Sequence, residues 1–248
     1  MTWIRRILIG FLVLKAFGIS AFSPSNRGNS RFFLDSADTK VWDEWVQTGL
    51  FHGISTNTVL MEAAGESCTI ENIQRMSALA LLNTDEFVCQ AWGSTVQDLV
   101  ACGLQISAPA RDRIVVMLPV TITGTQAASQ LIQSGVRVCL TACYNAQQAV
   151  IAANVGADYV APCLGRMNDA GIDGIDECGN MLEMVDGLKS DTRILVACLR
   201  DAKNIAVLTA QGFDTFSISP DVAAQLFHEP LTDVDAQVFQ ESATRNQS

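Results

Sequence analysis

The sequence predicts a single (β/α)8 barrel, the TIM-barrel class, on three observations. From about residue 31 onward a short apolar run, a polar turn and a longer amphipathic stretch recur, and eight such runs can be counted. The runs are apolar on both faces, as parallel strands covered by helices must be. The chain of 248 residues, 49% hydrophobic and 17% charged, also has the length of one such domain.

The strands are expected at RFFLD (31–35), HGISTN (52–57), EFVCQAW (86–92), RIVVMLPVT (113–121), VRVCLTACY (136–144), DYVAPC (158–163), RILVACL (193–199) and TFSISP (215–220). Helical periodicity fills seven of the spaces between or after them, for example TVQDLVACGLQISA, TGTQAASQLIQSG, NAQQAVIAANVG, CGNMLEMVDGLK and AKNIAVLTAQG. Several of these stretches end in glycine, which accepts the left-handed backbone of a helix stop. Strand–helix alternation forces parallel pairing. A doubly wound open sheet is the other arrangement, but no GxGxxG or Walker loop follows any strand.

The formal net charge is -10, and the first 31 residues carry five basic groups and no acid, leaving 11 basic against 26 acidic residues in the remainder. That balance argues against nucleic acid or an anionic membrane surface as a partner. Residues 1–31 read as an address and 32–248 as the barrel. MTWIRR is a basic start, ILIGFLVL an apolar run too short to span a bilayer comfortably, and SPSNRGNSR is hydroxylated and acid-free. The join Ile-Ser-Ala-Phe resembles the signal-plus-transit presequences of algae with complex plastids. The expectation is plastid import, with secretion, a plain membrane anchor or a cytoplasmic location as alternatives. The eight cysteines lie mostly inside apolar runs, without a CxxC pair, and read as reduced packing thiols.

Barrels of this class do their chemistry at strand C-terminal ends. Those ends carry Asp35, Thr56, Asn57, Gln90, Met117, Thr141, Cys163, Arg166, Cys198 and Arg200. Read in order, LDSAD, GISTN, CQAW, VVMLPVT, LTACYNAQQA, GADYVAPCLGR, LVACLR and SPDVAAQ resemble the transaldolase family, closest to its fructose-6-phosphate-aldolase-like branch, over residues 32 to 240. The resemblance implies Schiff-base aldol chemistry on a phosphorylated sugar, without a cofactor or metal. It gives Asp35 proton handling, Gln90 and Thr141 the shuttling water, and Thr56 and Asn57 substrate positioning. Arg166, Cys198 and Arg200 fall at the phosphate end. A homo-oligomer is implied by the same resemblance.

Three positions depart from that pattern. Met117 stands where the family has its imine-forming lysine, Cys163 where it has an aromatic residue, and Cys198 where it has a phosphate-binding serine. A thioether forms no imine, and Lys40, Lys189 and Lys203 fall in helical or turn patterns. The expectation is therefore a sugar-phosphate-binding barrel impaired in Schiff-base chemistry. Two alternatives stand beside it: an active aldolase or transaldolase that uses another route, such as Asp35 with Tyr144 or water, and an interaction protein with a vestigial pocket.

Simpler readings of single residues remain open as well. Asp35 would then cap the turn at Ser36, and Arg166 and Arg200 would pair with Asp169 or Asp201. Cys143, Cys163 and Cys198 are expected to point inward from strands five, six and seven, either as inert thiols or as a redox or covalent-capture site. His52 and His228 lie away from the strand C-terminal ends, which argues against a zinc site. MNDAGIDGIDECG (167–179) reads as a solvated loop after strand six, since its spacing does not match a calcium loop.

Overall fold

The computed structural model describes residues 30–246. The address-like segment, up to residue 29, lies outside the described residues. The strands are β1 (Arg31–Asp35), β2 (Gly53–Thr56), β3 (Glu86–Gln90), β4 (Ile114–Pro119), β5 (Arg137–Cys143), β6 (Tyr159–Pro162), β7 (Arg193–Ile194) and β8 (Thr215–Ile218). The helices are α1 (Thr39–Val46), α2 (Thr58–Ala64), α3 (Ile70–Ala80), α4 (Val96–Ser107), α5 (Ile122–Gln133), α6 (Ala146–Val155), α7 (Leu164–Asp169), α8 (Gly174–Gly187), α9 (Lys203–Ala210), α10 (Pro220–Phe227) and α11 (Pro230–Arg245).

Every strand pair is parallel, in the order β7-β6-β5-β4-β3-β2-β1-β8. Val196 closes the ring. Its N–H donates to Thr215 O at 3.0 Å, and its carbonyl accepts from the Ser217 N–H at 2.9 Å. The alternation read from the sequence therefore produces a (β/α)8 barrel, as predicted, and not an open sheet. Side-chain caps set where the helices begin. Asp38, Asn57, Thr95, Thr121, Asn145 and Asp173 each accept a backbone N–H in the first turn of the helix that follows.

Two expectations need correcting. Residues 167–179 are mostly helical: α7 ends at Asp169, and Asp173 caps α8 by accepting from Ile175 N and Asp176 N at 3.1 Å each. Asp173, read as loop composition, acts here as a capping group. Strand seven is also shorter than RILVACL suggests, because regular pairing stops at Ile194 and only single bridges at Val196 and Ala197 continue it.

The period of two in each strand divides its side chains between two cores. Phe33, Val88, Val115, Met117, Cys139, Tyr159, Ala161 and Leu195 fill the barrel interior. Their neighbours in sequence, including Leu34, Phe87, Cys89, Val116, Leu118, Leu140 and Val160, pack outward among the helices.

Charged residues begin several strands and close the N-terminal end. Glu86 lies at its centre, with Arg137 Nη1 2.9 Å, Arg31 Nη1 3.2 Å and His52 Nε2 3.3 Å from its Oε1, and the Tyr159 hydroxyl donating to Oε2 at 2.8 Å. Arg31 also hydrogen-bonds the Tyr159 hydroxyl, and Arg137 pairs with Asp158 at 2.7 Å. Gly53 leaves room for this packing, since a Cβ there would lie 2.5 Å from the Phe33 ring and 2.6 Å from the Glu86 carbonyl oxygen.

Candidate functional site

The opposite, C-terminal end gathers most of the residues singled out in the sequence. Asp35 closes β1 on the inner side, where it accepts from Ser55 Oγ at 2.9 Å, and Ser55 Oγ in turn lies 2.8 Å from Ser217 Oγ. Burial pushes the Asp35 carboxyl up to about 6, and the hydrogen bonds of Ser55 and Ser217 restrain the rise. Asp35 does not cap a turn. Ser36 Oγ accepts the Asp38 N–H instead, at 3.1 Å.

A carboxylate held in this way opposes folding when ionised. Its folded value lies above its ordinary one, so its contribution is best below about 3.8 and is lost as pH rises through about 6. Asp35→Asn, which keeps the shape and removes the charge, is expected to stabilise the protein at pH 8 by about 1–3 kcal/mol. The advantage should shrink to nothing near pH 3.5. Urea midpoints at both pH values check this, and equal midpoints at pH 8 would contradict it.

Beyond Asp35, a second group of polar side chains converges. Cys163, directly after β6, interacts with the Cys198 thiol, the Arg166 guanidinium, the Tyr144 hydroxyl and Asp35. The neighbouring Cys198 thiol, with the Arg166 charge and the Tyr144 hydroxyl, outweighs burial, so the Cys163 thiol is held below its ordinary value. Cys198 is correspondingly pushed up. Arg166 Nη1 lies 3.5 Å from the Tyr144 hydroxyl. Among the described residues no carboxylate pairs with Arg166, so its positive charge faces the barrel mouth uncompensated by a salt bridge.

The remaining positions divide. Gln90 ends β3 in register with Met117 of β4, and its Oε1 lies 3.5 Å from Thr58 Oγ1. Thr141 follows the inward Cys139 by two residues and is half-buried. Met117 sits in the interior core, 9% exposed. Asn57 caps α2, its Oδ1 accepting from Val59 N and Leu60 N at 3.0 Å each, which leaves its amide N–H groups for other partners.

Thr56 alternates with the inward Ser55, so it faces the outer layer, fully buried. Arg200 is engaged outside the mouth. Its Nη1 donates to Asp169 Oδ1 at 2.6 Å and its other terminal nitrogen pairs with Oδ2, both residues being exposed. Cys143 does not point inward. A bulge between Thr141 and Cys143, with Ala142 at φ 56°, turns it outward, and its Sγ lies 3.9 Å from Met181 Sδ of α8.

Lys40, Lys189 and Lys203 are all exposed on helices or turns. No amine among the described residues therefore reaches the interior beside Met117. Ser55, Ser217 and Tyr144 shape the site more than the sequence reading recognised. Strand alternation already marks Ser55 and Ser217 as inward residues, and that signal was sufficient to find them.

The profile described as Transaldolase/Fructose-6-phosphate aldolase matches residues 32–248, the whole of the barrel. This chain belongs to that family. Its curated relatives include probable transaldolases of Caulobacter sp. (strain K31), 31% identical over 209 residues, and of Phenylobacterium zucineum, 30% identical over 209 residues. Each alignment covers 84% of this chain and 94% of the relative. A probable transaldolase of Chelativorans sp. (strain BNC1) is 30% identical over 217 residues, with the same shares covered. Membership places the chain in sugar-phosphate metabolism, and the barrel's inner C-terminal end is where that family chemistry would lie.

A cavity of about 540 Å³ at the other end of the barrel, lined by Arg31, Arg137, Asp158, Lys189 and Arg193 among others, is not a rival site. Arg31, Arg137 and Arg193 are already committed to Glu86, Asp158 and Asp214. Among the described residues no helix is long and apolar enough to cross a membrane.

Proposed function

We propose that this protein binds a phosphorylated sugar at the C-terminal end of its barrel and does not carry out Schiff-base aldol chemistry. The observation that carries the reading is the occupant of the fourth strand. Met117 fills the interior at the level of Gln90, and the described lysines are exposed elsewhere. A thioether cannot condense with a ketose carbonyl, whereas the polar shell that would hold the sugar is retained in Asp35, Gln90, Thr141 and Asn57. Arg166 supplies the positive charge for phosphate. Arg200 joins it by exchanging Asp169 for phosphate oxygens, a modest change because an exposed ion pair contributes little.

Calorimetric titration with fructose 6-phosphate and sedoheptulose 7-phosphate tests this. Binding is expected, and Arg166→Ala is expected to weaken it by about tenfold or more, the loss of a charge-assisted hydrogen bond to phosphate. Arg200→Ala should weaken it less, because the variant also releases Asp169. No heat in the unaltered protein would favour the vestigial-pocket reading. Turnover without borohydride-trappable imine would favour a route through Asp35 and water.

We also propose self-association and plastid import. α11 has no buried residue, and Leu231, Val234, Val238 and Phe239 on it are exposed. Light scattering after size exclusion reports the assembly. A fluorescent protein carrying residues 1–31 at its N-terminus reports the destination.

A further inference from the structure

Cys163 and Cys198 follow the neighbouring strands β6 and β7 and are brought together by the backbone. Cys163 bridges Ala197 in parallel register, with Leu164 N–H donating to Ala197 O at 3.1 Å and Gly165 N–H donating to Cys198 O at 3.2 Å. Gly165 permits the approach, since a Cβ there would lie 2.4 Å from the Cys198 carbonyl oxygen. Cys198 has φ 58°, a left-handed conformation that costs a residue other than glycine on the order of 1 kcal/mol. The two thiols lie close enough for each to influence the other's ionisation. Cys198 is one residue beyond Ala197, the residue opposite Cys163, so a strand spacing of about 4.8 Å and a rise of about 3.3 Å put their Cα atoms about 5.8 Å apart, within the roughly 4.4–6.8 Å that a disulfide spans.

We propose that Cys163 and Cys198 are a peroxide-sensitive dithiol, Cys163 being the sulfur oxidised first and Cys198 the thiol that resolves it into a disulfide. The Cys163 thiolate attacks one oxygen of hydrogen peroxide, the O–O bond breaks, and the departing hydroxide takes a proton and leaves as water. Cys198 sulfur then attacks the resulting sulfenic acid. The S–S bond forms, the S–O bond breaks, and the Cys198 proton leaves with the oxygen as a second water. One peroxide gains the two electrons that the two thiols lose.

The division of labour follows from the surroundings. Arg166 lies one helical turn after Cys163, its backbone N–H donating to the Cys163 carbonyl at 3.1 Å and its Nη1 3.5 Å from the Tyr144 hydroxyl, and that charge and hydroxyl both favour a thiolate at Cys163. Burial raises Cys89, Cys102, Cys139, Cys143 and Cys178 instead, and raises exposed Cys68. Cys163 is only 7% exposed, which admits a molecule as small as peroxide more readily than a bulky disulfide. None of this depends on whether the barrel binds a sugar phosphate.

Peptide mapping of the peroxide-treated, alkylated protein is the test. Trypsin cleaves after Arg137, Arg166, Arg193 and Arg200, placing Cys163 in peptide 138–166 and Cys198 in peptide 194–200. The expected product is a linked pair joined at Cys163, reversed by dithiothreitol, with Cys163 oxidised on the order of tenfold or more faster than Cys68 at pH 7.5. Cys198→Ser should leave a sulfenic acid at Cys163 that dimedone captures, and Cys163→Ser should give no disulfide. Oxidation of Cys163 no faster than Cys68 overturns the proposal in the unaltered protein, and so does a link from Cys198 to Cys139 or Cys143.

Discussion

Met117→Lys should turn borohydride trapping with fructose 6-phosphate from undetectable to a stable covalent adduct at residue 117. The side chain at this position lies inside the barrel among Val115, Cys139 and Ala161, in register with Gln90. An amine placed there loses water on most sides. Desolvation lowers a lysine's pKa and so raises the fraction of free amine that attacks a carbonyl. Adding Cys163→Tyr to the same chain should raise turnover further by supplying a hydroxyl for proton transfer, since a phenol donates and accepts hydrogen bonds better than a thiol. The adduct is read by intact mass and localised by peptide mapping, with circular dichroism confirming the fold. A folded variant that traps nothing would show that β4 does not present residue 117 to the sugar. An adduct in the unaltered protein would remove the case for a chemically silent barrel.

Glu86→Gln should destabilise the protein by about 3–5 kcal/mol near neutral pH, because it leaves the surrounding cations without their shared counter-charge. Burial by itself raises the Glu86 carboxyl. The nearby His52 ring, the Tyr159 hydrogen bond and the Arg137 charge outweigh that effect and hold it at about 2. A depressed acid contributes stability that is fully present above its ordinary value of about 4.5 and is lost as pH falls towards 2. The unaltered protein should therefore lose about 3 kcal/mol across that window through this group, and the glutamine variant should not. Urea titrations at pH 7, 4.5 and 3 separate the two profiles. Parallel profiles would mean that Glu86 is not the group that couples folding to acid.

The sequence by itself determined the architecture, because alternation of apolar runs with helical periods leaves parallel pairing as the way to bury both strand faces. It also located Asp35, Gln90, Met117, Thr141, Cys163 and Arg166 at one end of the barrel, since strand ends and the period of two can be read without coordinates. The ionic plug was only half legible. Arg31, Glu86, Arg137 and Arg193 visibly begin strands, yet their pairing joins segments up to 128 residues apart, as Arg31 and Tyr159 show.

Tertiary structure alone decided the rest. The bulge at Ala142 turned Cys143 outward, which a strict period of two would have pointed inward. Asp169 claimed Arg200 across 31 residues of sequence. Asp173 and its neighbours became the start of a helix where composition suggested a loop. The contact of Cys163 with Cys198 required a glycine at 165 and a left-handed backbone at 198 together. Each of these depends on one dihedral or one long-range partner, and a single chain's pattern of polar and apolar residues averages over both.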